Sequence, residues 1–315
     1  MTTEKIKQFN TAGPCDPDYH YMIPAVSRLP DVEKLIDRRE YFVLHSPRQT
    51  GKTTFMMAKA DRLNMEGSYY AMYRSLEELR GIVDEAAAMK KIIDNLREAV
   101  DISNSLPLKS ALGDNFNEEL NRRSGFASHP LKIWLRVLCD KLEKDLVLFF
   151  DEIDALEGDT LSPILSQLRD GYEKRSKSRF PRSIALIGMR NIRYFEIKKR
   201  DESKSQGSSN SFDIITEFLT LPDFTPIEVA SIYTRHTQAS GQVFEKKAIQ
   251  RAWDWTEGQP WLINALARQA VEKIAKKRLR GCHHLRHHGS GRLQPNKKKG
   301  HPYSSPSSAS IRSRR

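Results

Sequence analysis

YFVLHSPRQTGKTT (Tyr41–Thr54) is the stretch that decides the fold expected of this chain. It opens with a continuous apolar run, typical of a buried parallel strand, and a helical pattern follows Lys52. The segment between them matches the phosphate-binding loop pattern GxxxxGK[ST] at every defined position except the first, where serine replaces glycine. Such a loop directs backbone N–H groups and the positive end of a helix at a polyphosphate. We therefore predict a phosphate cradle, which consists of Ser46, Pro47, Arg48, Gln49, Thr50, Gly51, Lys52, Thr53 and Thr54.

Individual residues of this loop have expected roles. Gly51 allows the backbone to approach the ligand closely, Lys52 reaches the outer phosphates, and the Thr53 hydroxyl ligates Mg²⁺. Ser46 requires a negative or mildly strained φ, and Pro47 biases it toward extended geometry, so we expect a stiff loop that still binds. The alternative is a chance GKTT in an ordinary strand–helix turn, which the downstream sequence disfavours.

LVLFFDEID (Leu146–Asp154) is the downstream motif that supports this prediction. An apolar strand that ends in two acids places carboxylates at the carboxyl edge of a parallel sheet, beside the phosphate loop. There Asp151 would hold Mg²⁺ through its water shell, and Glu152 would act as general base on an attacking water. A solvated strand end or a helix cap is the simpler alternative. We interpret Asp154 as a helix cap or a salt-bridge partner.

Alternating helices and apolar strands predict an α/β fold, with a parallel sheet covered by helices on both faces. From Thr225 onward the pattern is helical, with breaks near Gly241 and Gly258–Pro260. The chain is therefore expected to divide into a flexible N-terminal arm at 1–20, an α/β domain at 21–221, a small all-helical lid at 222–278, and a disordered basic tail at 279–315.

The net charge of +12 comes entirely from the end of the chain. Residues 276–315 hold 12 Lys or Arg and no acid, so residues 1–275 carry 40 basic and 40 acidic side chains. Three interpretations of this tail are open: a nucleic-acid-binding segment, a metal-binding cluster of His283, His284, His287 and His288, or out-of-frame translation. The abrupt loss of acids and aliphatics favours the last.

The cysteines and the apolar runs bear on the environment of the protein. Cys15, Cys139 and Cys282 lie far apart, which argues against a disulfide framework or a zinc site. No stretch approaches the roughly 18 apolar residues of a membrane span, and no signal peptide is evident. We expect a soluble, cytoplasmic protein.

LHSPRQTGKTT, LVLFFDEID and SIALIGMR together resemble the AAA+-like ATPases, in the divergent branch that includes predicted archaeal and bacterial ATPases and the signal-transducing STAND NTPases. The resemblance covers about residues 19–276 and implies ATP and Mg²⁺ as ligands. It implies that Arg190, or less favourably Asn191, senses the γ-phosphate, although a surface arginine would also fit. Gly258 and Pro260 in WTEGQPWLINALAR are similar to the lid motif near the nucleotide, although a structural turn needs the same residues.

The resemblance suggests two further sets of residues more weakly. Tyr21, Ile23 and Arg28 are candidates for adenine contacts, by position alone. Arg175, Arg179 and Arg182 stand where ring-forming relatives place an arginine finger, although a basic solvated loop explains them more simply. Trp253, Trp255 and Trp261 are interpreted as lid core.

Three functions follow from these patterns. The leading one is Mg²⁺-dependent ATP hydrolysis coupled to lid movement. The second is a nucleotide-gated switch or scaffold, which turns ATP over negligibly without an unknown protein partner. The third, nucleic-acid binding through the tail, has the least support.

Overall fold

A computed structural model describes residues 6–102, 116, 118, 120, 122, 128–156, 160–189 and 213–275. Met1–Gln269 forms one compact unit. Ala270–Arg315 forms a second, of which the π-helical stretch Ala270–Ala275 is described. In the described part of the chain, no helix is long and apolar enough to cross a membrane. The four histidines of the tail lie outside the described residues.

The first unit is built on a parallel sheet of five strands. They are β1 (Tyr41–His45), β2 (Tyr70–Ser75), β3 (Leu146–Asp151), β4 (Ser183–Gly188) and β5 (Ile215–Thr220). Their order is β2-β3-β4-β1-β5, and all neighbours run parallel. β3 and β4 are buried along their whole length, which explains why their sequences are continuously apolar. The predicted parallel sheet is confirmed.

Helices cover both faces of the sheet. Alternate strand residues point to opposite faces and therefore belong to two separate cores. Tyr41 and Val43 belong to one core, and Phe42 and Leu44 belong to the other. The helices in this part of the chain are α1 (Asp31–Asp37), α2 (Lys52–Glu66), α3 (Glu85–Ile102), α4 (Pro130–Lys141) and α5 (Leu161–Glu173). The first two pack into the core that contains Phe42, and the other three pack into the core that contains Val43.

Three more helices follow the sheet: α6 (Pro226–Ser240), α7 (Lys246–Thr256) and α8 (Pro260–Gln269). We call them the C-terminal helices. Thr225 starts α6 with a capping box, and Gly241 ends it with a φ of 73°. Before α8, Gly258 has a φ of 83°, and its carbonyl accepts a hydrogen bond of 2.9 Å from the Phe224 N–H. Both breaks therefore fall where the sequence predicted them.

Residues 6–20, the N-terminal segment, contact the C-terminal helices. Phe9 is only 4% exposed, and its ring lies 5.0 Å from that of Tyr21 and 6.0 Å from that of Tyr233. We expected a flexible arm here. Phe9 is instead a core residue, because its ring packs in an aromatic cluster with Tyr21, Tyr233, His236 and Phe244.

Candidate active site

The phosphate loop lies between the carboxyl end of β1 and the start of α2. Gln49 and Gly51 have positive φ values of 64° and 90°, which form the turn of the loop. Ser46 is not among the residues with positive φ, so its backbone meets the requirement for serine at this position. A Cβ at Gly51 would lie 3.1 Å from the guanidinium of Arg28, so a side chain there would crowd that group.

Ser46 uses its hydroxyl to fasten the loop to the end of β5. The side chain is fully buried, and its Oγ accepts a hydrogen bond from the Leu221 N–H (3.0 Å) and donates one to the Leu221 carbonyl (3.1 Å). The Ser46 N–H also donates to the Gly188 carbonyl, at 3.3 Å. Glycine at position 46 would lack the first two bonds. The departure from the loop pattern therefore has a structural reason.

Lys52 lies inside the curve of the loop. Its ammonium donates to the carbonyls of Ser46 (2.7 Å) and Pro47 (2.8 Å). Burial lowers the pKa of Lys52, and the nearby carboxylates, first that of Asp151, oppose this shift. The loop thus holds a desolvated cation at its centre, which is the charge that a polyphosphate requires.

Asp151 receives hydrogen bonds from three different elements. Its Oδ2 accepts from the Thr53 hydroxyl and from the Tyr73 hydroxyl, each at 2.7 Å, and its Oδ1 accepts from the Glu152 N–H at 2.8 Å. The residue is 1% exposed. Among the described residues it forms no ion pair with Lys or Arg. A buried carboxylate beside a threonine hydroxyl is a donor set that suits Mg²⁺, since Mg²⁺ prefers oxygen ligands.

Glu152 has an unusual backbone and a perturbed side chain. Its φ of 54° lies in the left-handed region, which costs a non-glycine residue on the order of 1 kcal/mol, and residues strained in this way cluster at functional sites. Burial raises the pKa of Glu152, and the negative charge of Asp151 raises it further. Among the described residues, the cation paired with it is Arg80, whose Nη2 lies 3.9 Å from Oε2. The carboxylate is therefore held next to Asp151 against electrostatic repulsion.

These groups line a cavity of about 710 Å³. Of the predicted loop residues, Arg48, Gln49, Gly51, Lys52, Thr53 and Thr54 face it, whereas Ser46, Pro47 and Thr50 do not. Pro260 lines the cavity together with Trp261 and Asn264 of α8. Six of the predicted loop residues, the two acids at the end of β3 and Pro260 at the start of α8 thus meet at one site.

A second cavity of about 680 Å³ adjoins the first, and Pro14, Cys15 and Thr54 line both. Its wall includes apolar side chains from before β1 and from α2, among them Ile23 and Met57. The space therefore continues from the phosphate loop toward the N-terminal segment.

The N-terminal segment crosses this site, which the sequence did not indicate. The Cys15 N–H donates to the Thr54 hydroxyl at 3.0 Å. Thr11 is held by α8, because its carbonyl accepts from the Trp261 indole (2.8 Å) and its hydroxyl accepts from Arg268 (2.7 Å). Residues 10–15 line the first cavity. No motif marks them, and only their long-range contacts reveal their position.

The candidates for adenine contacts have different surroundings. Ile23 lines the second cavity, whereas Tyr21 and Arg28 line neither. The Tyr21 hydroxyl lies 3.2 Å from Nδ1 of His236, inside the aromatic cluster. Arg28 donates to the Thr50 carbonyl (3.1 Å) and to the carbonyl of Pro222, so it joins the phosphate loop to the segment after β5.

The three arginines considered as an arginine finger lie away from the cavity. Arg175, Arg179 and Arg182 donate to backbone carbonyls of their own chain near the amino ends of β1 and β3, the edge of the sheet opposite the phosphate loop. They tie loops together rather than lie free in solvent. Arg190 and Asn191 lie outside the described residues.

Two interpretations need correction. Asp154 neither caps a helix nor forms a salt bridge among the described residues; its Oδ2 accepts from the Met189 N–H and so fixes the end of β4. Trp255 was expected in the core but is 70% exposed, because it lies on the outer side of α7. Trp253 is partly buried and donates to the Phe224 carbonyl at 3.4 Å.

Comparison with known proteins supports the fold. No protein-family model and no curated protein matches the chain. Among solved structures, the Walker-type ATPase of Pyrococcus abyssi is 15% identical, with 89% of this chain and 80% of that chain covered and a TM-score of 0.59. Drosophila ORC bound to DNA is 13% identical, with 82% of this chain and 64% of that chain covered and a TM-score of 0.48. This chain thus spans less than two thirds of the second structure. The likeness to the first shows the fold of a P-loop ATPase, as predicted.

Proposed function

We propose that this chain binds ATP with Mg²⁺ and hydrolyses it to ADP and phosphate. The observation that carries the proposal is the 2.7 Å hydrogen bond from Thr53 to Asp151. It joins the phosphate loop to the end of β3 although β4 lies between β1 and β3 in the sheet. Glu152, the next residue, faces the same cavity.

The residues of the site divide the work of hydrolysis among them. The backbone of the loop and Lys52 would bind the phosphates, and Thr53 and Asp151 would hold Mg²⁺. Because the Thr53 hydroxyl donates its proton to Asp151, its oxygen keeps lone pairs for a metal. Mg²⁺, when bound, neutralises charge on the phosphate oxygens. Glu152 would accept the proton of the attacking water, and its raised pKa makes it a stronger base than an ordinary carboxylate.

The rest of the nucleotide would occupy the second cavity, which shares Thr54 with the first and whose walls include apolar side chains such as Ile23 and Met57. Pro260, at the start of α8, would then contact the nucleotide from the C-terminal helices. Arg190 keeps its proposed role as sensor of the γ-phosphate. On this scheme the C-terminal helices form a lid, and hydrolysis would alter their contact with the phosphate loop.

The test separates binding from turnover. Lys52→Ala is expected to weaken ATP binding, since it removes the central cation, whereas Glu152→Gln should retain binding and abolish steady-state phosphate release. Glu66→Gln is the matched control, because Glu66 is an exposed acid at the end of α2 and pairs only with Arg62 among the described residues. Phosphate release that persists in Glu152→Gln would contradict the assignment of the base.

The second candidate is a nucleotide-gated switch that turns over little without a protein partner, as in the signal-transducing branch of the resemblance. The position of the N-terminal segment favours it, because residues 10–15 line the cavity and bind both Thr54 and α8. Tight ATP binding with no phosphate release by the wild-type chain would support this candidate. Nucleic-acid binding stays the weakest proposal; salt-sensitive DNA binding that disappears on deletion of residues 279–315 would revive it.

A further inference from the structure

Tyr73 contacts the proposed metal site from the edge of the sheet. It lies on β2, which pairs with β3 in a register that sets Tyr73 opposite Phe149 and Ser75 opposite Asp151. The side chain is half-buried and lines the first cavity. Its hydroxyl donates to Asp151 Oδ2 at 2.7 Å. Asp151 lies two residues further along β3 than Phe149, so the Tyr73 side chain must extend in the strand direction to reach it.

The hydroxyl of Tyr73 completes the set of donors around Asp151. Thr53 belongs to α2, Glu152 follows β3, and Tyr73 belongs to β2, so the carboxylate is held from three directions. The terminal torsion of an aspartate is broad and only weakly fixed by its own rotamer preference. In this bond the Tyr73 hydroxyl is the donor, because an ionised carboxylate oxygen can only accept.

We propose that Tyr73 is a positioning residue for Asp151, which orients the carboxylate so that it and the Thr53 oxygen face one Mg²⁺ ion. The proposal rests on the function proposed above. Groups that hydrogen-bond to metal ligands typically change metal affinity by about 10-fold to 100-fold when removed. Loss of the phenol hydroxyl should therefore weaken the response of the protein to Mg²⁺ and leave its contacts with the nucleotide itself unchanged.

The experiment measures equilibrium affinity for ATP against free Mg²⁺ and in EDTA, with Glu152→Gln in every protein so that no ATP is consumed. Tyr73→Phe is expected to raise the Mg²⁺ concentration at half-maximal effect about 10-fold and to leave the affinity in EDTA unchanged. Tyr69→Phe is the matched control, because Tyr69 donates to Asp37 at 2.9 Å at the other end of β2. It should alter neither quantity.

Each outcome decides the proposal. An unchanged Mg²⁺ response in folded Tyr73→Phe overturns it, and so does an equal loss of affinity with and without Mg²⁺, which would assign the residue a general structural role. If Tyr73→Phe does not unfold cooperatively, Tyr73→Met replaces it, since methionine also lacks the donor and adapts to irregular space. If the parent Glu152→Gln protein binds no ATP, or binds it without regard to Mg²⁺, the proposed function fails instead.

Discussion

Ser46→Ala tests whether the first residue of the phosphate loop fastens it to the end of β5. The substitution removes one hydroxyl and keeps a residue that tolerates the same backbone. It leaves the N–H and carbonyl of Leu221, a residue only 2% exposed, without their bonds to Oγ. A buried polar group deprived of its partner costs about 1–3 kcal/mol, so we expect the free energy of unfolding to fall by about that amount.

Ser46→Gly restores the residue that the loop pattern prefers, yet we expect it to be less stable still. It loses the same two bonds and adds about 0.5–1 kcal/mol of backbone entropy to the unfolded chain. Urea denaturation of the three proteins should thus rank wild type above Ser46→Ala and Ser46→Ala above Ser46→Gly.

Ser183→Ala provides the comparison for ligand binding. Ser183 is also fully buried and donates to the Glu40 carbonyl at 2.6 Å, but it lies at the amino end of β4, away from the loop. Ser183→Ala should lower the free energy of unfolding without altering ATP affinity, whereas the variants at Ser46 should lower both. A loss below about 0.5 kcal/mol in Ser46→Ala, or a Ser46→Gly protein as stable as wild type, would refute the role given to the hydroxyl.

Three other outcomes are expected. Glu152→Gln should become more stable relative to wild type as the pH rises from 4 to 7, as measured by urea denaturation. The folded protein raises the pKa of Glu152 above its ordinary value of 4.5, so ionisation of this carboxyl at higher pH destabilises the wild-type fold. A stability difference that stays constant with pH would contradict this. Gly258→Ala should lower the free energy of unfolding by more than about 3 kcal/mol, since its Cβ would lie 1.9 Å from the Phe224 carbonyl oxygen at a φ of 83°. Gly241→Ala, at a φ of 73° with open space around it, should lower it by about 1 kcal/mol in the same measurement. Similar losses in the two variants would argue against the close approach at Gly258. Phe9→Ala should lower the free energy of unfolding by about 3 kcal/mol or release the N-terminal segment from the C-terminal helices. Faster proteolysis within residues 10–20 would detect that release. Unchanged stability together with unchanged cleavage would contradict the burial of Phe9.

Local patterns predicted the phosphate loop and most of the sheet, because their signals lie within short windows of sequence. Three strands, β1, β3 and β4, are continuously apolar or nearly so, and Gly51-Lys52 fixes the loop between β1 and a helix. β5 was not predicted as a strand. It lies at the edge of the sheet, and most of its residues after Ile215 are exposed or half-buried, so it lacks the apolar run of a central strand.

Long-range pairing could not be predicted, because periodicity carries no information on which elements meet. β1 and β2 follow one another as strand, helix and strand, yet β3 and β4 lie between them in the sheet. Likewise Ser46 bonds to a residue 175 positions away, and Tyr73 carries no motif. The acids of the site were predictable from the strand that ends at them, whereas the groups that hold those acids were not.

The contacts of Thr11 affect the order in which the protein folds during its synthesis. They join the N-terminal segment to residues 250 and 257 positions later, so they close long loops of the chain. On the ribosome the segment emerges before α8 and cannot make these contacts until α8 has been synthesised. The phosphate loop and its helix can fold meanwhile, and the wall made by residues 10–15 is added last. A peptide fused ahead of residue 6 would thus hinder the docking of the N-terminal segment, the final step of folding, more than the formation of the sheet.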